Sequence, residues 1–310
     1  MGILKLKPAC KDNLWGGEKL IKDFNKNYNG ETLAETWELS CHSDGLSTIS
    51  EGDDVGLSLL DYIKAHGLKV LGSNCARFKE FPLLIKLIGA KQNLSVQVHP
   101  NNIDALSMDN QYGKNEVWYI LDAQEGSYIY YGFKQKISKE EYRTRIMNNT
   151  IEEVLNKYPV KIGDCIYIPY GTVHALCGEI VVAEIQENSS LTYRIYDYDR
   201  KDKNGNTRQL HIDKAIKVSK LEPPKTDYNY GNHLFRNNCF TVDLINGSST
   251  IDVNDESFTS LLVIDGQGSI INDKQTIEFR KGDSLFITSG SGQCNICGDT
   301  KILSTRVGTI

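Results

Sequence analysis

Four residues carry side chains of the kinds that bind divalent metal ions. Gln97 and His99 stand two positions apart, Glu116 opens an apolar run, and His174 closes a segment of the pattern Gly-Asp…Pro…Gly-x-x-His. Imidazole nitrogens and a carboxylate oxygen suit zinc or another first-row divalent ion, and a glutamine carbonyl can complete the shell. Three or four protein ligands with positions left open would form a catalytic site rather than a structural one.

Each of these residues also has a simpler explanation when it is taken alone. A histidine after a strand is more often packed or exposed than bound to metal, Gln97 can satisfy a hydrogen bond inside a barrel, and Glu116 can cap a turn. The combined spacing favours one shared site. Within it Gln97 ranks below the other three, because an amide is a weak ligand.

The elements that must position these side chains are mostly strands. Leu94, Val96 and Val98 alternate with Ser95, Gln97 and His99, so Gln97 and His99 are predicted to point to the same face of one strand. Further strands are predicted at 117–121, 127–131, 160–176 and 181–186. A barrel can bring three such segments together at one cavity.

Two helices interrupt the strands in this prediction. Leu59, Tyr62 and Ile63 follow helical spacing and predict a short helix that ends near Gly67. Ser138 begins a capping-box pattern, and helix-compatible residues follow as far as about Lys157.

An internal echo indicates a second copy of the β-unit. Residues 163–171 match residues 282–290 without a gap, each with a Gly-Asp turn before an alternating strand, and residues 120–122 match 263–265. The same registers place Gln293 where the first copy has His174, and Thr259 where it has Glu116. From Phe235 onward the sequence reads as short strands with glycine-rich turns, typical of a jelly-roll or sandwich. The second copy is therefore predicted to keep the strands and lack the metal site.

Composition limits the classes of partner and location. The chain has 310 residues and a net charge of −5, which argues against a general nucleic-acid or membrane-surface binder. No apolar run is long enough to span a bilayer and no signal peptide is visible, so we expect a cytoplasmic protein. Eight cysteines are too few for a disulfide scaffold, and the Cys294-x-x-Cys297 pair is read as ordinary thiols.

Several stretches resemble type I mannose-6-phosphate isomerases, in their shorter bacterial branch. The similarity runs from about residue 10 to 200 and rests on the segments 15–17, 35–40, 84–88, 94–100, 115–121 and 169–175, of which Gln-x-His-Pro and Glu-x-Trp-Tyr are the most specific. The resemblance implies that one zinc ion per chain is bound by Gln97, His99, Glu116 and His174. It also implies that Arg194 is the active-site arginine, although the residues just before it, 188–191, depart from the family pattern.

The reaction that this resemblance implies interconverts mannose 6-phosphate and fructose 6-phosphate. A proton moves between C1 and C2 through a cis-enediol, and a bound divalent ion can polarise the carbonyl. Arg194 would add positive charge near the enediol oxygens or the phosphate. Lys86, between apolar neighbours, is a candidate proton carrier or a snorkelling edge lysine, and Lys114 is a candidate for the phosphate.

The expected fold is mainly β, with two cupin-like jelly-roll or barrel units and a few inserted helices. Residues 1–228 would form the metal-binding catalytic domain and residues 229–310 a β domain without metal ligands. The expected partner is a small sugar phosphate, not nucleic acid or membrane, and the sequence carries no signal for an oligomeric state. Two alternatives remain at this point: an iron-dependent cupin dioxygenase, and a sugar-binding cupin without catalysis.

Overall fold

Strands dominate the computed structural model, which describes residues 2–202 and 204–308. The strands in chain order are β1 Ile3–Lys7, β2 Ala9–Lys11, β3 Glu35–Leu39, β4 Thr48–Ile49, β5 Leu83–Ala90, β6 Val96–Val98, β7 Glu116–Asp122, β8 Tyr128–Phe133, β9 Leu155–Pro159, β10 Cys165–Ile168, β11 His174–Ala175, β12 Ile180–Glu187, β13 Tyr193–Tyr196, β14 Phe235–Arg236, β15 Phe240–Asn246, β16 Ser249–Val253, β17 Thr259–Ile271, β18 Thr276–Arg280, β19 Ser284–Ile287 and β20 Gly292–Val307. The predicted mainly β class is confirmed.

The helices are short. They are α1 Lys19–Asp23, α2 Leu59–His66, α3 Asn102–Asp109, α4 Lys139–Met147 and α5 Ile212–Val218, with single 3-10 turns at Leu68–Val70, Ser73–Arg77 and Ile151–Glu153. In the part of the chain that the structure describes, no helix has the length and apolar character needed to cross a membrane.

The chain forms two compact units. The first comprises residues 1–11, 18–87 and 230–310, and the second comprises residues 12–17 and 88–229. The functional division expected from the sequence, at residue 228, stays a prediction.

The first unit is built on a nine-stranded antiparallel sheet. Its main path runs β14-β15-β20-β17-β19-β1-β4, with β16 paired to β20 and β18 paired to β17. Leu261, Val263, Leu285 and Ile302 lie in its core with exposed fractions of 0%. Strand β1 enters this sheet beside β19, so Ile3 lies opposite Ile287 although they are far apart in sequence.

The expectation of uniformly short strands after Phe235 is wrong. Strand β17 has 13 residues and β20 has 16, and they pair along most of their length. The glycines there allow close backbone approach instead of marking turns: a Cβ on Gly268 would lie 2.1 Å from the Cys297 carbonyl oxygen. Pairing therefore continues through positions that the sequence suggested as strand ends.

The second unit contains a five-stranded sheet and a further strand group. The five-stranded sheet has the order β13-β6-β11-β8-β9. In the other group β7 pairs antiparallel with β10 on one side and with β12 on the other. Gln97 is the central residue of β6, His99 directly follows that strand, and His174 opens β11.

Helix α4 begins as predicted and ends earlier than predicted. The Ser138 hydroxyl accepts a hydrogen bond from the Glu141 amide, which is the expected N-cap. The helix stops at Met147, because Asn149 adopts a left-handed φ of 57°, and β9 begins at Leu155. The expectation of helix as far as Lys157 is therefore wrong.

The echo between residues 163–171 and 282–290 is a true structural repeat. Gly163 and Gly282 have φ values of 91° and 93°, which other residues rarely adopt. The following aspartate caps the same turn in each copy: an Asp164 oxygen accepts from the Lys161 amide, and an Asp283 oxygen accepts from the Arg280 amide, each at 2.9 Å. Identical capping in both copies supports two related β-units.

Candidate metal centre

Three of the predicted ligands meet in the interior of the second unit. Ligand atoms of His99, Glu116 and His174 all lie within 4.8 Å of one another. The three residues are 2%, 0% and 0% exposed, so no solvent surrounds the polar atoms between them. His99 follows β6, Glu116 opens β7 and His174 opens β11. Three segments that are distant in sequence thus converge as the sequence predicted.

Strand register brings Gln97 and Arg194 to the same place. His174 lies directly opposite Gln97 across β11 and β6, and Arg194 lies opposite Gln97 across β13 and β6. Directly opposed residues of antiparallel strands project to the same face of a sheet. Arg194, Gln97 and His174 therefore form one row across three neighbouring strands.

Both imidazoles are oriented by backbone carbonyls. His99 Nδ1 is 3.0 Å from the Leu191 carbonyl oxygen, and His174 Nδ1 is 2.9 Å from the Thr172 carbonyl oxygen. A carbonyl can only accept, so each Nδ1 carries a proton, and in the neutral ring the lone pair is on Nε2. Such second contacts are typical of histidines that bind metal.

The lone pairs of these rings face a carboxylate. His99 Nε2 lies 3.3 Å from one Glu116 oxygen, and His174 Nε2 lies 3.1 Å from the other. His99 Nε2 and both Glu116 oxygens are buried without a hydrogen bond of ordinary geometry, and one of the two oxygens has the ammonium group of Lys114 beside it. Buried acceptors that face one another are unfavourable unless a cation lies among them. The donor set of two imidazoles and a carboxylate fits a first-row divalent ion.

Gln97 borders the same cluster through its amide. Its Nε2 atom lies 3.5 Å from His174 Nε2, so the end of the side chain faces the imidazole lone pair. Rotation of the amide by half a turn would offer its oxygen there instead. Gln97 is therefore placed to complete a shell, and it remains the weakest member of the predicted set.

Lys114 places a cation beside the cluster. Its Nζ lies 2.9 Å from Glu116 Oε2 and donates a hydrogen bond of 2.8 Å to Gln186 Oε1, and the side chain is buried. Burial, reinforced by the positive charge of Lys114, lowers the pKa of His99 to about 4. Burial opposes ionisation of Glu116, but Lys114 and His99 hold its pKa well below the ordinary value. At neutral pH the His99 imidazole is therefore neutral and the Glu116 carboxylate is charged, which are the forms that bind metal.

Arg194 is held in place by neutral acceptors. Its Nε donates to the Ser95 hydroxyl at 3.2 Å and its Nη1 donates to the Gln209 carbonyl at 3.1 Å. Burial, together with the charge of Arg208, lowers the pKa of Arg194 to about 10. Neither of these two acceptors is a carboxylate, so the charge remains available to an anionic substrate.

The segment after Arg194 folds back onto it through an arginine-rich cluster. Asp197 accepts hydrogen bonds from Arg200 at 2.5 Å and from Arg208 at 2.7 Å. His211 then pairs with Arg194 through the backbone: its amide donates to the Arg194 carbonyl at 2.7 Å, and its Nδ1 accepts from the Arg194 amide at 3.2 Å. The Asp197 cluster thus fixes the loop that supports Arg194.

Lys86 belongs to the first compact unit. Its side chain is buried, with Nζ 3.9 Å from Glu35 Oε2 and 5.3 Å from the Trp37 ring centroid. The burial agrees with an inward-pointing lysine. Its role as a proton carrier stays a prediction.

In the second copy of the repeat, the described residues form no comparable group. Within residues 2–202 and 204–308, the cluster of His99, Glu116 and His174 is the one group of histidine, cysteine and acidic residues arranged to hold a metal ion. Gln293 is exposed and Thr259 is buried without forming such a group. Cys294 is buried and Cys297 is exposed, three residues apart on β20, so the two thiols project to opposite faces.

Several supporting residues were not predicted from the sequence. The carbonyls of Leu191 and Thr172 are backbone groups and have no side-chain signature. Gln186 and Glu187 end a predicted strand with two polar residues after an apolar run, which is the one signal that could have marked them.

Known proteins resemble this chain in sequence and in fold. Residues 3–127 match a family described as phosphomannose isomerase type I, catalytic domain, and residues 232–307 match one described as mannose-6-phosphate isomerase, cupin domain. The mannose-6-phosphate isomerase of Streptococcus mutans is 35% identical over 98% of both chains. The crystal structure of the mannose 6-phosphate isomerase from Bacillus subtilis superposes with a TM-score of 0.89 at 33% identity, over 98% of this chain and 99% of that one.

A more distant structure shares the fold. It is a zinc-bound mannose 6-phosphate isomerase with a TM-score of 0.80 and 18% identity, covering 100% of both chains.

Proposed function

The chain belongs to the type I mannose-6-phosphate isomerases, and from this premise we propose that it interconverts mannose 6-phosphate and fructose 6-phosphate at a zinc centre formed by His99, Glu116 and His174, with Gln97 as a further ligand. The family membership favours isomerisation over the two alternatives, an iron-dependent dioxygenase and a sugar-binding protein without catalysis.

One observation carries the metal assignment. His99 Nε2 and both Glu116 oxygens are buried acceptors without a hydrogen bond of ordinary geometry, and Lys114 pairs with only one of the two oxygens. Nδ1 of each imidazole is held by a backbone carbonyl. Such an arrangement is stable when a cation occupies the space between the acceptors. Two histidines and a carboxylate make a ligand set of the catalytic zinc kind.

Zinc bound here would supply Lewis-acid polarisation of the substrate carbonyl and would stabilise negative charge on the enediol oxygens. The protein's own contribution is to hold charges in fixed positions. Lys114 keeps Glu116 ionised, and Gln186 keeps the ammonium group of Lys114 directed at that carboxylate.

Arg194 is proposed to bind the anionic part of the substrate. It lies in the same row as Gln97 and His174, and its guanidinium is oriented by the Ser95 hydroxyl. A fixed cation in a partly buried position stabilises a phosphate or an enediolate more strongly than a mobile surface lysine does. The isomerisation moves one proton between C1 and C2, and Lys86 is the proposed carrier of that proton.

The substrate is a small sugar phosphate. A cytoplasmic location, and the lack of a role in binding nucleic acid or membranes, stay predictions from charge and composition.

The test combines metal content with turnover. Purified protein should contain one zinc ion per chain, form fructose 6-phosphate from mannose 6-phosphate in a coupled assay, and lose activity when a chelator removes the metal. Stoichiometric zinc without isomerisation would refute the proposed reaction. Turnover that depends on oxygen and iron would support the dioxygenase, and sugar binding without turnover would support the non-catalytic protein.

A matched pair of variants tests the location of the site. His174→Ala should lower zinc content and abolish isomerisation while the fold survives. Gln293→Ala, at the corresponding position of the repeat, should change neither, because Gln293 is exposed and belongs to no metal-binding group among the described residues. Normal zinc content and full activity in His174→Ala would remove His174 from the site.

A further inference from the structure

A carboxylate that touches no proposed ligand is bound to the segment that carries Glu116. Glu187 accepts a hydrogen bond of 3.0 Å from the Asn115 amide, and its two oxygens lie 3.2 and 3.3 Å from Asn115 Nδ2. The Glu187 amide in turn donates to the Asn115 carbonyl at 3.2 Å. The residue beside Glu116 is thus held by Glu187 through both its backbone and its side chain.

The other end of the Asn115 amide reaches the segment that carries His174. Asn115 Oδ1 accepts hydrogen bonds from the Tyr167 hydroxyl at 3.1 Å and from the Tyr170 amide at 3.0 Å. Tyr170 begins the turn that leads to His174, and the next residue, Gly171, donates its amide to the His99 carbonyl at 2.8 Å. One asparagine side chain therefore links the chain segments that supply the proposed ligands.

Glu187 determines which way this asparagine amide points. Only an acceptor can pair with both the Nδ2 group and the backbone amide of Asn115, and a carboxylate is the side chain with two such oxygens. With Nδ2 directed at Glu187, Oδ1 must face the two donors from Tyr167 and Tyr170. Burial raises the pKa of Glu187, and the hydrogen bonds from Asn115 oppose that rise. A half-buried acidic side chain therefore stands at a position that takes no part in the proposed chemistry.

We propose that Glu187 is a positioning residue of the metal centre, which acts through Asn115 to fix the separation of Glu116 from His174. The inference rests on the proposed function, because the ion is part of it. Metal ligands must be held close to their working geometry by the groups around them, and the loss of such support typically weakens metal binding by about 10- to 100-fold. The Glu116 and His174 ligand atoms stand 3.1 Å apart, so a small shift of either segment changes the site.

The experiment measures zinc affinity of the full chain by competition with a chromophoric chelator. Glu187→Gln keeps the size of the side chain but loses one acceptor, and Asn115→Asp places a second carboxylate against Glu187. Each should weaken zinc binding by about tenfold or more. The double variant Asn115→Asp/Glu187→Gln exchanges the carboxylate and the amide between the two positions. The carboxylate at position 115 would then accept from the amide at position 187 and from the donors of Tyr167 and Tyr170, and affinity should return to within about threefold of the unmodified protein.

A second readout separates positioning from stability. With cobalt in place of zinc, the visible absorption spectrum should change in each single variant and revert in the double variant, because it reports ligand geometry. Ser138→Ala, which removes the N-cap of α4, is the control: it should lower the thermal midpoint and leave zinc affinity and the cobalt spectrum unchanged.

Normal affinity and an unchanged spectrum in both single variants would overturn the inference, as would a double variant no better than the singles. Failure of the unmodified protein to bind zinc would instead overturn the proposed function, and this inference with it.

Discussion

Replacement of Glu116 by glutamine should separate two effects of its charge, which are stabilisation of the fold and binding of the metal ion. Glu116 is fully buried and lies 2.9 Å from the Nζ atom of Lys114, which is also buried. Glutamine has the same shape and no charge. In Glu116→Gln the ammonium group of Lys114 keeps the Gln186 oxygen as a partner and loses its counter-ion.

The magnitude follows from the distance and the burial. At 2.9 Å the direct attraction is about 6 kcal/mol for an effective dielectric constant of about 20, and most of it is offset by the cost of removing both charges from water. Removal of one partner of a buried pair typically costs about 3–5 kcal/mol. Because Gln186 remains, we expect the free energy of unfolding of the metal-free protein to fall by about 3 kcal/mol. Lys114→Met should cost a similar amount, because it leaves the Glu116 carboxylate without a cation.

The double variant Glu116→Gln/Lys114→Met gives the decisive comparison. With neither charge present, the metal-free protein should recover to within about 1 kcal/mol of the unmodified chain, a coupling of the size expected for residues in contact. Zinc at about 100 times its dissociation constant should add about 2.7 kcal/mol to the unmodified protein. Zinc should add most of this free energy to Lys114→Met, which keeps the Glu116 carboxylate. It should add little to Glu116→Gln or to the double variant, which lack that carboxylate.

Urea unfolding followed by circular dichroism, with a chelator and then with zinc, measures all of these quantities. If the two single losses simply add in the double variant, the pair of charges is not the cause of either loss. A full gain from zinc in Glu116→Gln would refute the assignment of Glu116 as a ligand.

Three further predictions concern the surroundings of the site. Arg194→Lys should lower kcat/KM for mannose 6-phosphate by about 100-fold or more at normal zinc content, because a fixed electrostatic contact is lost; loss of zinc instead would make Arg194 part of the metal centre. Asp197→Asn should lower the free energy of unfolding by about 2 kcal/mol at about pH 7. Burial raises the pKa of Asp197, but its two arginine partners outweigh burial and hold the pKa below the usual value. The stability that the Asp197 carboxylate contributes is therefore full above about pH 4 and is lost as the pH falls through the lowered pKa. Urea midpoints of both proteins, followed from neutral pH down to about pH 3, should therefore converge, and a constant gap would contradict the argument. Gly113→Ala should weaken zinc binding by about tenfold or more in a chelator competition, since a Cβ there would lie 2.1 Å from the Pro100 carbonyl oxygen, between the segments that carry two ligands. Gly126→Ala, whose Cβ would meet no atom within 4 Å, should leave affinity unchanged.

Local pattern was sufficient for several features of this protein. The alternation from Leu94 to His99 predicted that Gln97 and His99 share a face, and both border the same cluster. The echo around Gly163 and Gly282 predicted a repeated turn, which the structure contains in both copies. These predictions hold because strand alternation and the left-handed glycine turn are properties of a few consecutive residues.

The supporting structure of the site depends on contacts that no local pattern contains. Gln186 meets Lys114 across 72 positions, and the carbonyl of Leu191 meets His99 across 92. In the same way, β1 pairs with β19 at the other end of the chain, and the glycines of β17 and β20 lie within strands where turns were expected.

The sequence by itself therefore determined the types of the candidate ligands, the shared face of Gln97 and His99, and the family. Tertiary structure alone decided which carbonyls orient the imidazoles, which cation balances Glu116, and how Asn115 and Glu187 connect the segments. The physical reason is that periodicity records the direction of each side chain, whereas the choice of strand partners follows from the packing free energy of the whole chain.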